Sequence, residues 1–182
     1  MPRRTWSGLQ FIAVNLWCTR IVPAAGESVV PLATSNDCLV LRTIRAADID
    51  RFEGLHNILR PGKRLSASRK WLYQRTGAKL VWALETTEAD LVGFNMYYFR
   101  EGEWNDRIVH EAFIGVTKAY QGCGLSNDMR AAAADHFTAA GLNGITTEIH
   151  RDNLPSLRSA CRQGFRETGA DPGGKIHLLR RL

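Results

Sequence analysis

Phe113-Ile114-Gly115-Val116-Thr117-Lys118-Ala119-Tyr120-Gln121-Gly122-Cys123-Gly124-Leu125-Ser126 is the stretch on which the fold turns. An apolar strand ends at Val116, a short turn follows, and a glycine-bearing loop opens directly into a helix. The first backbone N–H groups of a helix have no intrahelical acceptor. With the helix dipole behind them they form a cradle for a phosphate or pyrophosphate. Gly122 and Gly124 suit that role because a side chain there would block close approach of an anion to the backbone. Many short glycine turns bind nothing, so the loop is weighed with its surroundings.

Downstream, Leu125, Met129, Ala132, Ala133 and Phe137 share one helix face, and Gly141 and Asn143-Gly144 end that helix. Ile145 to His150 reads as a strand, and Asn153-Leu154-Pro155-Ser156 opens a short helix with Pro155 in its first turn. Asp171-Pro172-Gly173-Gly174 turns into a last strand, Lys175 to Leu179. Upstream, Leu39 to Ile44 alternates as a strand, and Ala46 to Leu59 carries a helical stripe stopped by Pro61-Gly62. Ser66 or Ser68 caps a second helix through Arg75, ending before Gly77. Leu80 to Leu84, Leu91 to Phe99 and Ile108 to Val116 read as three strands. The predicted order is β-α-α-β-β-β-α-β-α-β-β.

With both loops in place the chain resembles the GCN5-related N-acetyltransferase (GNAT) superfamily. The family's coenzyme A loop, Gln/Arg-x-x-Gly-x-Gly/Ala, is matched by Gln121, Gly122, Cys123, Gly124, Leu125 and Ser126, with Ser126 in place of the family's Gly/Ala. A second motif, Asn-x-x-Ala/Ser followed by a helix ending in Gly-Phe, is matched by Asn153, Ser156, Gly164 and Phe165. The resemblance covers residues 38–182. It implies an α/β fold of α+β type, in which a mixed, mainly antiparallel sheet is flanked by helices on both sides. It also implies acetyl-CoA as cosubstrate and transfer to an amine by direct attack in a ternary complex. The pantetheine arm would bond to backbone at Ile114 and Val116, and N–H groups from Gly122 to Ser126 would hold the pyrophosphate.

The family often uses a glutamate on the same strand as general base. Here that position is His110, with Glu111 beside it, and strand alternation sends the two to opposite faces. An imidazole has the more suitable unperturbed pKa, about 6.5. The family's tyrosine acid falls at Ala160, so the departing thiolate relies on Ser156, on water, or on no acid at all. Cys123 has no evident base partner and reads as a loop residue without a catalytic role. Tyr97, Tyr98, Trp82 and Trp104 fit a core as readily as an acceptor pocket.

At 182 residues, 45% hydrophobic and 23% charged, the chain suits one globular domain. No run of about 18 apolar residues occurs, so no membrane span is expected. Cys18, Cys38, Cys123 and Cys161 are scattered without zinc-ligand spacing, which predicts no metal site and a reduced, cytoplasmic setting. The net charge of +6 favours anionic partners. No acid occurs between Glu53 and Glu85, where Arg60, Lys63, Arg64, Arg69, Lys70 and Arg75 stand. That stretch is either a solvated basic face or a wall for an anionic acceptor, such as an amino sugar carried on a nucleotide or phosphate. No nucleic-acid motif accompanies it. Homodimers are common in the resembled family and within expectation.

Residues 1–37 are set apart as a poorly ordered extension or an upstream start. Arg3 and Arg4 precede an apolar run, Gly8 to Cys18, that Gln10 and Asn15 interrupt, which argues against a signal peptide. Three further functions are compatible with the sequence: an acyl-CoA-binding module without turnover, a protein lysine or N-terminal acetyltransferase, and a basic nucleic-acid binder. A dinucleotide-binding fold would begin Gly122-x-Gly124, but Asn127 stands where its third glycine belongs.

Overall fold

The computed structural model describes residues 8–31 and 38–182. Among the described residues, eight strands form one sheet in the order β1-β2-β3-β4-β5-β6-β8-β7. These are β1 (Ser28–Pro31), β2 (Cys38–Thr43), β3 (Val81–Glu85), β4 (Leu91–Tyr98), β5 (Ile108–Val116), β6 (Gly144–His150), β7 (Arg166–Ala170) and β8 (Lys175–Arg181). All neighbours are antiparallel except β5 and β6. A parallel pair needs a crossover, supplied here by helix α4 (Leu125–Ala139). The remaining helices are α1 (Gly8–Cys18), α2 (Ile49–Leu59), α3 (Ala67–Leu80) and α5 (Leu154–Arg162). The mixed, mainly antiparallel sheet with helices on both faces is the one expected.

Strand alternation divides the core into two layers. Phe94 meets Phe52 of α2, which also meets Tyr73 of α3. On the opposite face Trp82 and Tyr97 meet His136 and Phe137 of α4. No described helix is long and apolar enough to cross a membrane.

Two expectations give way. Helix α3 does not end before Gly77 but runs through it to Leu80. The missing side chain is what allows this, since a Cβ at residue 77 would collide with Cγ1 of Ile44. The segment expected to be poorly ordered carries α1, packed on α3, and β1, paired to β2. Asn15, the residue that spoils the apolar run, is fully buried. Its Nδ2 donates to the Phe99 carbonyl at 3.1 Å and its Oδ1 accepts the Phe99 N–H at 2.7 Å. Residues 1–7 and 32–37, Arg3 and Arg4 included, lie outside the described residues.

The feature that positions the site is where β5 and β6 part. Their pairing runs from Ile108 with Gly144 to Glu111 with Thr147 and stops there, while β5 continues to Val116 and β6 to His150. From residue 112 onward β5 stays paired only on its β4 side, apart from Ala112, which the register skips. Its other backbone edge is open.

Candidate functional site

Two cavities meet at this opening. The larger, about 610 Å³, is lined by Phe113 to Val116 of β5, by the glycine loop, by the start of α4, and by Asn153, Pro155 and Ser156. The smaller, about 360 Å³, lies toward the closed part of the β5–β6 pair, against His110, Glu111, Thr147 and Glu148. Phe113, Ile114, Arg130, Asn153 and Ser156 line both, so the two chambers join there.

The loop geometry follows from its glycines. Gly122 and Gly124 have φ of +85° and +83°, a left-handed conformation that costs an L-residue strain. Gly124 is the N-cap of α4, and its carbonyl accepts from the N–H groups of Asn127 and Asp128. Nothing lies within 4 Å of where a Cβ would project from either glycine. Gln121 Nε2 donates to the Val116 carbonyl at 3.1 Å, tying the loop to the end of β5. Across the cavity Asn153 caps α5, its Oδ1 accepting the Ser156 N–H at 3.3 Å. Arg162 adds a positive charge to the wall.

Of the residues singled out from sequence, Ile114, Val116, Gln121, Gly122, Gly124, Leu125, Ser126, Asn153 and Ser156 line the larger cavity. Cys123 does not; its Sγ lies 3.9 Å from the Gln121 carbonyl. Ala160 is fully buried and lines neither cavity. Gly164, with φ of +83°, turns the chain out of α5 so that Phe165 packs beneath the Arg130 guanidinium.

His110 and Glu111 point to opposite faces, as alternation requires, and their surroundings differ. Glu111 is 1% exposed and accepts from Arg130 of α4 through both oxygens, at 2.7 Å from Nη2 and 3.0 Å from Nε. Asn95 Nδ2 donates a further bond at 3.1 Å. Burial, reinforced by the Glu111 charge, pushes the Tyr97 hydroxyl well above its ordinary pKa, so it stays protonated against the carboxylate. Arg130 also donates to Ser159 Oγ at 2.9 Å, and that hydroxyl donates to Asn127 Oδ1 at 2.9 Å. Through Arg130, Glu111 therefore ties α4 and α5 to β5.

His110 is also buried, beside the Tyr98 ring. Its Nδ1 lies 3.0 Å from Thr146 Oγ1, which donates to Glu103 Oε2 at 3.0 Å. An ionised Glu103 only accepts, so the single Thr146 proton goes to it. The Thr146 oxygen then accepts from His110 Nδ1–H, which leaves the ring lone pair on Nε2. Burial raises the Glu103 pKa, opposed by the Arg100 charge and by the Thr146 bond. Neither Thr146 nor Glu103 was legible as a site residue, since they stand 43 positions apart.

The basic stretch divides. Arg60 and Arg69 line the smaller chamber. Lys63 and Arg64, expected beside them, are exposed and line neither cavity. Lys70 pairs with Asp50 and Glu53, and Arg75 stacks on Trp71. Of the four aromatics, Tyr98 faces the smaller chamber, Tyr97 and Trp82 are core, and Trp104 is partly exposed. Among the described residues, no group of three or more His, Cys, Asp or Glu is placed to hold a metal ion.

The family model described as acetyltransferase (GNAT) domain matches residues 39–166. No curated protein sequence matches the chain. Among solved structures, the GNAT domain of the S. lividans protein PAT aligns with a TM-score of 0.73 at 17% identity, over 88% of this chain and 99% of that one. A protein of Bordetella pertussis assigned to the GnaT acetyltransferase family aligns at 0.63 with 27% identity, over 84% and 99%. The spermidine/spermine N-acetyltransferase SpeG of Vibrio cholerae aligns at 0.59 with 18% identity, over 79% and 93%.

Proposed function

Because the chain belongs to the GNAT acetyltransferase family, we propose that it moves an acetyl group from acetyl-CoA to a primary amine of a small molecule, by direct attack in a ternary complex. The observation that carries this reading is the open edge of β5 leading straight into the glycine loop. An extended, amide-bearing arm can bond to that edge as an added strand would. The loop supports the same reading: its left-handed glycines set the start of α4 at the cavity wall with no side chain in the way. When bound, acetyl-CoA supplies an activated thioester. Ile114, Val116, Gln121, Gly122, Gly124, Leu125, Ser126, Asn153 and Ser156 are the residues that would hold it.

The rest falls to the chain itself. A free alkylamine has a pKa of about 10, so it arrives protonated and must be relieved of a proton before it can attack. His110, which lines the smaller chamber, takes that proton on Nε2, while Thr146 and Glu103 fix its tautomer. Ser156 contributes a hydroxyl where the two cavities join. A thiol with a pKa of about 8.5 is also a tolerable leaving group near neutral pH. Two walled chambers sharing one junction suit the holding of two reactants at once.

Isothermal titration calorimetry with acetyl-CoA, beside NAD as control, tests the reading. Micromolar acetyl-CoA binding without a response to NAD is expected, followed by amine-dependent release of free thiol. Binding without any turnover across a broad amine panel would make the protein an acyl-CoA-binding module. Silence from acetyl-CoA in folded protein would overturn the reading.

A further inference from the structure

The smaller chamber is lined by five Arg and Lys side chains, two histidines and only two carboxylates. Both carboxylates are already paired. Glu111 is held by Arg130, and Glu148 accepts from Arg100 Nη1 at 2.9 Å and from Lys175 Nζ at 3.4 Å. Arg60 and Arg69 differ. Among the described residues, neither has a carboxylate within ion-pairing distance. Arg60 lies over the Phe113 ring at 4.8 Å, next to the junction of the two cavities. Arg69 lies over the Tyr98 ring at 5.0 Å, beside His110. The two guanidiniums thus sit on neighbouring aromatic platforms along one wall.

Like charges held close and partly out of water disfavour each other. Burial and the adjacent Arg69 charge both push the Arg60 guanidinium below its ordinary pKa. A bound anion would relieve that repulsion, and the planar guanidinium fork matches carboxylate and phosphate oxygens.

We infer that Arg60 and Arg69 form a subsite for an anionic group on the acceptor, so that the substrate is a small primary amine that also carries a carboxylate or a phosphate. This rests on the acetyl-transfer reading above and deepens it. The chamber volume of about 360 Å³ suits a molecule of amino-acid or amino-sugar size. The same wall disfavours polyamines, whose extra cations would meet two unneutralised guanidiniums.

The test begins by titrating the full chain with CoA, which reads the acyl-carrier site alone. The CoA-saturated protein is then titrated separately with inorganic phosphate and with succinate. With the carrier's own phosphates in place, further anion binding reports on the smaller chamber. Saturable binding of one probe is expected, weakened about tenfold in Arg60→Gln and in Arg69→Gln with CoA affinity and melting temperature unchanged. The preferred probe tells phosphate from carboxylate. Turnover should agree: glucosamine 6-phosphate over glucosamine in the first case, or methionine over methioninamide in the second, by at least tenfold in kcat/KM. Absence of binding by both probes, or equal binding in wild type and both variants, overturns the subsite, as does preference for spermidine. If a variant fails to fold, the wild-type titrations still decide. If CoA itself does not bind, it is the acetyl-transfer reading that fails, and the anion titrations on the free chain judge the subsite separately.

Discussion

At adjacent positions of one strand, His110 and Glu111 turn to opposite faces, and what each meets there sets its role. Both Glu111 oxygens accept from the buried Arg130. Removing one partner of a buried ion pair strands the other charge, at a cost of about 3–5 kcal/mol. Glu111→Ala should therefore lower unfolding free energy by that amount in urea denaturation, with activity falling because α4 and α5 lose their anchor to β5. His110→Ala should differ in balance, lowering kcat by about 10²–10⁴-fold. Loss of its buried, hydrogen-bonded ring should cost about 1–3 kcal/mol of stability, less than Glu111→Ala. Thr146→Val, which removes only the hydroxyl, should alter the pH profile of kcat/KM if it sets the tautomer. Equal kinetic losses in Glu111→Gln and His110→Ala, with stability intact in both, would undo this division. Position and alternation made both residues visible in the sequence. What separates them is Arg130, 19 positions away on another element, and no local pattern announces that pairing.

Two elements carry consequences of their own. The glycine loop owes its shape to left-handed backbone at Gly122 and Gly124. Adding a Cβ in that conformation costs about 1–2 kcal/mol. Gly124→Ala should lower the melting temperature by a few degrees and weaken acetyl-CoA binding several-fold in calorimetry, by tilting the N–H groups that α4 offers. Helix α1 is the second case. Asn15 makes two hydrogen bonds to the backbone of Phe99, just past the end of β4, and both are buried. Asn15→Leu leaves that carbonyl and N–H unsatisfied, at about 1–3 kcal/mol for each group stranded. A loss in urea titration much below that would mean α1 is not held by this residue. The loop was readable because its glycines, its strand and its helix are contiguous. Helix α1 was not, because the Asn15 that breaks its apolar pattern gains its reason from a partner 84 residues on. The continuation of α3 through Gly77 was hidden in the same way, since only the approach of Ile44 makes a glycine useful inside that helix.

Across the whole molecule, the succession of elements from β2 onward followed from contiguous patterns, but what locks the β2–β3 half of the sheet to α2 is a buried charge cluster spread along the chain. Arg42 of β2 donates to Asp48 at 2.6 Å and to Glu85 of β3 at 2.6 Å, and Arg51 of α2 reaches both carboxylates. The cluster also fixes α2, whose end carries Arg60, relative to the sheet that carries His110. Bonding to Arg42 holds the Glu85 pKa below its ordinary value. For Asp48 burial acts upward but is outweighed by its bonds from Arg42 and from the Arg45 N–H, so its pKa is also depressed. Carboxylates with depressed folded-state pKa values contribute stability above their unfolded values, near 4, and lose it as pH falls through the folded ones. Burial raises the Glu103 and Asp128 pKa values, which works in the opposite sense, so wild type alone does not isolate the cluster. Comparison with Arg42→Met does. At pH 7 the variant should be less stable by about 3–5 kcal/mol in urea denaturation. The gap should narrow steadily below about pH 4, as protonation removes the charges that Arg42 neutralises. Added salt should change it little, because the partners are largely shielded from solvent ions. A gap constant from pH 7 to pH 3 would mean that Arg42 acts through packing rather than charge, and that acid sensitivity arises elsewhere in the fold.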